Sequence, residues 1–210
     1  VIVYYRTDRS IVEDRGSSQR RDPDKPIKPS NAMFGALGPR TGFRQLFHWF
    51  EAVESEELRR RRDENPDWIH PQLAAVRRAV ELVIPNARRV RVSDQRRLEV
   101  TIVEPDGHEE LLALSELSGG YRTLIALVAD LARRMAQANP TQGTESEAIV
   151  MIDEVDLHLH PKWQQTVIAS LRRAFPRAQF IVTTHSEQVI AAVEPSHIIR
   201  LDRVPDGVAT

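Results

Sequence analysis

The sequence predicts an α/β fold: a parallel sheet with crossover helices, accompanied by a helical insert and a small antiparallel β segment. Three observations carry this. Ala148 to Ile152 is an unbroken run of five apolar residues, the pattern of a strand buried on both faces of a parallel sheet. From Gly119 onward, segments of helical and strand periodicity alternate to the end of the chain. Between residues 43 and 103, two helical stripes precede a pair of short alternating strands.

The elements are justified in order. Val1-Ile2-Val3-Tyr4-Tyr5 reads as a buried strand, entered without a methionine. From Glu13 to Ser30 the chain offers Arg, Asp, Ser, Lys and Pro and almost nothing to bury, so a mobile loop is expected over 13–42. Phe43, Leu46, Phe47, Phe50 and Val53 form one apolar helical stripe, continued outward by the charged run Glu54 to Glu64 and stopped at Pro66. Pro71 opens a second helix carrying Leu73, Val76, Val80 and Val83 on one face. These helices form an insert over 43–85, for which packing is role enough.

The core of the domain is expected over 86–210. Val90, Val92, Leu98, Val100, Ile102 and Val103 mark two antiparallel strands, and Pro105-Asp106-Gly107 makes a hairpin turn between Glu104 and Glu109. A helix follows Ser118-Gly119-Gly120-Tyr121, with an apolar run from Leu124 to Met135. After the central strand, Pro161 starts another helix. Gln179 to Thr184 is a strand, Glu187 to Val193 a short helix, and His197 to Leu201 a last strand.

Composition bounds the function. The chain has 210 residues, 41% apolar and 28% charged, which suits a domain with a substantial core. Its net charge of −1 supplies no global argument for nucleic-acid binding. No apolar run reaches the ~18–20 residues of a membrane helix. The absence of cysteine excludes disulfides and thiolate metal sites and is compatible with a cytoplasmic protein.

Chemistry concentrates at element ends. Asp153 and Glu154 close the central strand, at the sheet edge where ligands of open α/β folds bind. There Asp153 suits a hard cation and Glu154 a base that polarises water. Ser118, Gly119 and Gly120 open a long helix, a place for an anion if Ser118 does more than cap it. His185 ends the next strand, where an imidazole can bond a phosphate.

Taken together, these segments resemble an ABC-type ATPase. Leu117-Ser118-Gly119-Gly120-Tyr121 is similar to the family's signature, Ile149-Val150-Met151-Ile152-Asp153-Glu154 to Walker B with its glutamate, Val155 to His160 to the D-loop, and His185 to the switch histidine. Ser118 to Thr123, Ile152 to Pro161 and Phe180 to Ser186 more closely resemble the stand-alone bacterial AAA-family ATPases related to RecF, SMC and OLD proteins, including those of Septu-like and retron-associated anti-phage systems. The likeness extends to Tyr4-Tyr5, the helix at Phe47–Glu51 and the Asn139-Pro140 loop.

The resemblance implies a P-loop NTPase fold and a homodimer that sandwiches two ATP molecules head to tail. Ser118, Gly119 and Gly120 would contact the γ-phosphate held by the partner. Asp153 would organise Mg²⁺, Glu154 would act as base, His185 would sense the γ-phosphate, and Asp156 and His158 of the D-loop would link the two sites. Arg6 or Asp8 stands at the Q-loop position, where the family has a glutamine. A nuclease or other effector subunit, and DNA, are the partners implied. One part is absent: no Gly-Lys pair exists, so the chain has no G-x-x-x-x-G-K-[ST] cradle. The expectation is that this Walker A portion lies upstream and that residues 1–210 alone bind ATP poorly. Two alternatives stay open. One is an ATP-gated clamp for DNA repair with little turnover. The other is a metal-dependent hydrolase using Asp153, Glu154, Asp156, His158, His160 and His185.

Overall fold

A computed structural model describes residues 1–7, 43–84 and 86–201, with only the backbone of Phe43 and Arg44. The loop expected over 13–42 and the Asp8 position lie outside these residues. Among the described residues, six strands fall into two sheets. Strands β1 (Ile2–Tyr5), β5 (Ala148–Ile152) and β6 (Ala178–Val182) form a parallel sheet in the order β1-β5-β6. Strands β2 (Ala87–Val92), β3 (Leu98–Val103) and β4 (Glu109–Ala113) form an antiparallel sheet in sequence order. The small antiparallel segment thus has three strands, one more than the apolar pattern marked. Glu109 and Glu110 disguise β4, because its first three residues are exposed.

Helix α1 (Phe43–Asp63) buries Leu46, Trp49, Phe50 and Val53. Trp49 takes the place expected for Phe47, which is only half-buried. The charged run is not wholly outward either. Glu54 and Glu57 are buried, because Arg77 of α2 (Pro71–Val83) reaches both, at 2.7 and 2.9 Å. Glu54 also accepts the Val92 N–H at 2.7 Å, and Glu57 accepts that of His70 at 2.8 Å. These acids join α1 to α2 and to β2. Burial raises the Glu54 carboxyl, whereas at Glu57 the Arg77 and His70 bonds outweigh burial and hold it low.

Helix α3 (Gly119–Ala138) runs through the middle of the core and is buried on nearly all sides from Leu124 to Gln137. Three of its charged residues lie in that stretch. Asp130 accepts hydrogen bonds from Arg133 (2.6 Å), Arg134 (2.7 Å) and the Tyr5 hydroxyl (3.1 Å), while Arg133 also donates to Gln137 at 2.8 Å. The network ties α3 to the end of β1. Burial alone would raise the Asp130 carboxyl, but the two guanidinium groups hold it below its ordinary value. Burial, aided by Asp130, pushes Tyr5 well above the usual phenol range.

The parallel sheet differs from expectation in two ways. Val3, Tyr5, Val150 and Ile152 are buried on one face, but the opposite face carries Ile2, Ile149 and Ile181 at 45, 38 and 53% exposure. The central strand is therefore covered on one side only among the described residues. The last strand is not formed there either. A 3-10 turn at Pro195–His197 leads into an irregular segment in which Ile199 and Leu201 are exposed. Apolar β-branched residues favour a strand only where a neighbouring strand supplies the ladder, and 198–201 have no such partner among the described residues. The helix begun at Pro161 is two pieces, α4 (Pro161–Gln164) and α5 (Val167–Ala174), and α6 spans Glu187–Ala191.

Candidate functional site

Parallel pairing brings the carboxyl ends of all three strands to one edge. The register Tyr5↔Ile152↔Val182 aligns their last residues. The residues that follow are Arg6 after β1, Asp153 and Glu154 after β5, and Thr183, Thr184 and His185 after β6. Asp153 N–H bonds the Tyr5 carbonyl at 2.8 Å, so β5 remains paired through its first acid. Glu154 then turns the chain with φ +46°, a left-handed conformation uncommon for a residue with a side chain. Asp153 and Glu154 are half-buried, and His185 is exposed.

Hydroxyls organise this edge. Thr183 donates to Asp153 Oδ1 at 2.5 Å and accepts the Glu154 N–H at 2.8 Å. Thr184 donates to Asp156 Oδ1 and accepts the Ser186 N–H. Neither threonine was singled out from the sequence as a site residue. Their signal was available: two hydroxyl residues separating an apolar strand from His185.

Ser118, Gly119 and Gly120 stand at the start of α3. Ser118 caps α3, its hydroxyl accepting the Tyr121 N–H at 3.5 Å. An open cleft of about 940 Å³ here is lined by Ser118 to Thr123, by Leu157 to His160, by Trp163 and by Thr7. Tyr121 packs edge-on against Trp163 with ring centroids 4.0 Å apart, and its hydroxyl pairs with Asn86. The two glycines differ. A Cβ on Gly119 would meet nothing within 4 Å, whereas one on Gly120 would collide with the His158 carbonyl oxygen and lie 3.2 Å from its carbon. Gly120 is thus needed for packing inside the chain, and Gly119 presents open backbone at a helix N-terminus.

The turn from Val155 to His160 runs between the strand edge and this cleft. Asp156 is bonded to Thr184 at the strand edge, and His158, at φ +63°, packs its carbonyl on Gly120. The six-residue metal site is not brought together: among the described residues no three His, Asp or Glu side chains converge to hold an ion. His158 and His160 go to the signature-side cleft instead, because the turn carries them away from the acids.

A family profile described as "AAA domain, putative AbiEii toxin, Type IV TA system" matches residues 9–191. The chain belongs to that family. Membership agrees with the resemblance to ABC-type ATPases of the RecF/SMC group carried by the motifs. Among relatives of this AAA domain, the Retron Vc95 probable ATPase of Vibrio cholerae serotype O1 biovar El Tor is 27% identical over 241 residues, covering 94% of this chain and 46% of the relative. The Retron Ec83 probable ATPase of Escherichia coli is 45% identical over 110 residues, 49% of this chain and 20% of its own. The Septu protein PtuA of Bacillus mycoides (strain KBAB4) is 47% identical over 73 residues, 35% of this chain and 10% of its own. The chain spans less than half the length of each. No helix among the described residues is long and apolar enough to cross a membrane.

Proposed function

We propose that this AAA domain is the signature- and Walker B-bearing part of an ATP-hydrolysing subunit that works as a head-to-tail homodimer in the cytoplasm. The observation that carries the reading is the strand edge, where Asp153 and Glu154 stand side by side and Thr183 bonds both. The donor set fits the implied groups. A half-exposed carboxylate with a hydroxyl beside it offers hard oxygen ligands for Mg²⁺, and the open backbone of Gly119 at the start of α3 suits a phosphate. When bound, Mg²⁺ supplies charge neutralisation on the phosphoryl oxygens.

The chain's own residues have distinct tasks in this reading. Asp153 would hold the ion. Glu154 accepts the proton of an attacking water at a carboxylate oxygen. His185, exposed at the neighbouring strand end, bonds the terminal phosphate of the same nucleotide. Ser118 and Gly119 face the nucleotide held by a partner copy, and Gly120 seats them. Asp156 and His158 connect the strand edge to the signature-side cleft. Arg6 is the described residue at the Q-loop position. A single domain over 1–210 carries the 43–85 insert and the 86–210 core, whose parallel sheet β1 completes. The names of the retron and Septu relatives support a role in anti-phage defence, with a nuclease or other effector as the regulated partner and DNA as its target.

The test is Glu154→Gln in the intact protein. Hydrolysis is expected to fall by about 10²-fold or more, while ATP-dependent dimerisation, followed by light scattering, persists. Turnover at the unsubstituted rate would exclude Glu154 as base.

A further inference from the structure

We propose that Thr183 and Thr184, the tandem that follows β6, are positioning residues that hold the acid pair, the D-loop turn and His185 in one fixed arrangement. The assignment of a reaction to that arrangement rests on the function proposed above; the positioning itself rests on hydrogen bonds.

Thr183 engages four consecutive residues at the end of the neighbouring strand β5, Ile152 to Val155. Its N–H donates to the Ile152 carbonyl at 3.0 Å, and its own carbonyl accepts the Val155 N–H at 3.0 Å. Between these, its hydroxyl donates to Asp153 Oδ1 at 2.5 Å and accepts the Glu154 N–H at 2.8 Å. A single hydroxyl thereby serves as donor and acceptor at once. The bond to Oδ1 selects one orientation of the Asp153 carboxylate. The bond from the Glu154 N–H holds a residue whose φ of +46° costs about 1–2 kcal/mol in an unconstrained chain. Valine has the same shape and can make neither side-chain bond.

Thr184 points the other way, as consecutive residues of an extended segment do, and reaches Asp156. It also accepts the Ser186 N–H at 3.0 Å, while Ser186 donates to Gln164 at 2.7 Å and Gln164 donates to the Leu159 carbonyl at 2.9 Å. His185 is therefore exposed between two anchored neighbours. Any displacement of the histidine loads the bonds to Asp156 and Leu159, and through them the turn packed on Gly120. The tandem makes the strand edge and the signature face one mechanical unit.

The experiment compares Thr183→Val, Thr183→Ser and Thr184→Val in the intact protein. In Thr183→Val without nucleotide, the Glu154 amide should exchange with deuterium about ten-fold or more faster than in the parent, and Thr183→Ser should restore it. ATP turnover should follow the same order: about a ten- to hundred-fold loss of kcat in Thr183→Val, KM within about two-fold, and recovery in Thr183→Ser. Thr184→Val should speed exchange across 155–159 and leave the Glu154 amide protected. Unchanged Glu154 exchange in Thr183→Val overturns the proposal. Should that variant not fold, Thr183→Cys, with a weak donor of similar size, takes its place, and parent-like exchange there overturns it equally. Altered exchange in a protein that hydrolyses no ATP at all would support the positioning and sink the ATPase reading instead.

Discussion

Asp130 and Asp153 are both aspartates beside the end of β1, yet their surroundings differ in burial. Asp130 is 3% exposed and enclosed by Arg133, Arg134 and Tyr5. Asp153 is half-buried, and its Oδ1 accepts the Thr183 hydroxyl. A fully buried charge persists only when ion pairs and hydrogen bonds compensate its lost hydration. At Asp153 the Thr183 hydroxyl bonds a carboxylate that stays half-buried rather than enclosed. The comparison separates a carboxylate that holds the fold from one that is held by it.

The largest expected effect would break this comparison if it failed. Asp130→Asn leaves two arginines buried without their anion and should cost about 3–5 kcal/mol of stability, measured by urea unfolding. Asp153→Asn should change stability by about 1 kcal/mol or less while abolishing hydrolysis in the intact protein. Equal stability losses in the two variants would show that exposure does not distinguish the roles.

Gly120→Ala comes next. Its Cβ cannot coexist with the His158 carbonyl, so the turn must move, at about 1–3 kcal/mol. Gly119→Ala meets open space and should cost less than about 1 kcal/mol, the price of nothing but a changed helix start. A reversed order would mean that the turn at His158 does not pack on the start of α3 as described.

The smallest effect is in pH. Asp130 has a lowered pKa in the fold, so its contribution to stability is fully present above the ordinary carboxylate range and is lost as pH falls through that range toward the folded value. Asp130→Asn should flatten this acid limb. Glu54, raised by burial, has the opposite sign: its contribution is present below its ordinary value and is lost as pH rises through the raised one. Denaturation midpoints from pH 3 to 7, in the parent and in Glu54→Gln, check both signs.

Much of the local structure was legible because its causes are local. Pro71 starts α2, Ser118 caps α3, and Asp106 and Gly107 shape the turn before β4, with Gly107 at φ +87°. The acids at the end of β5 were legible as well, since an apolar run that stops at two carboxylates marks a strand edge. What remained hidden depends on residues far apart in sequence. Nothing near Glu57 foretells its bond to Arg77, and nothing within α3 foretells that Asp130 meets Tyr5, 125 positions away. Thr183 looked like the tail of a strand until the register placed it beside Asp153.

By itself, then, the sequence determined most of the helices, the strands β1, β5 and β6, the signature-like helix start and the acid pair, because periodicity, capping and strand ends are written within a few residues. Tertiary structure alone decided which face of the parallel sheet is covered among the described residues, that 198–201 do not join it there, and that Gly120 packs on the His158 carbonyl. It also decided that the Thr183 hydroxyl bonds the Asp153 carboxylate and the Glu154 N–H. Each of these is a contact across the chain, and a contact's geometry exists only once both partners have been placed.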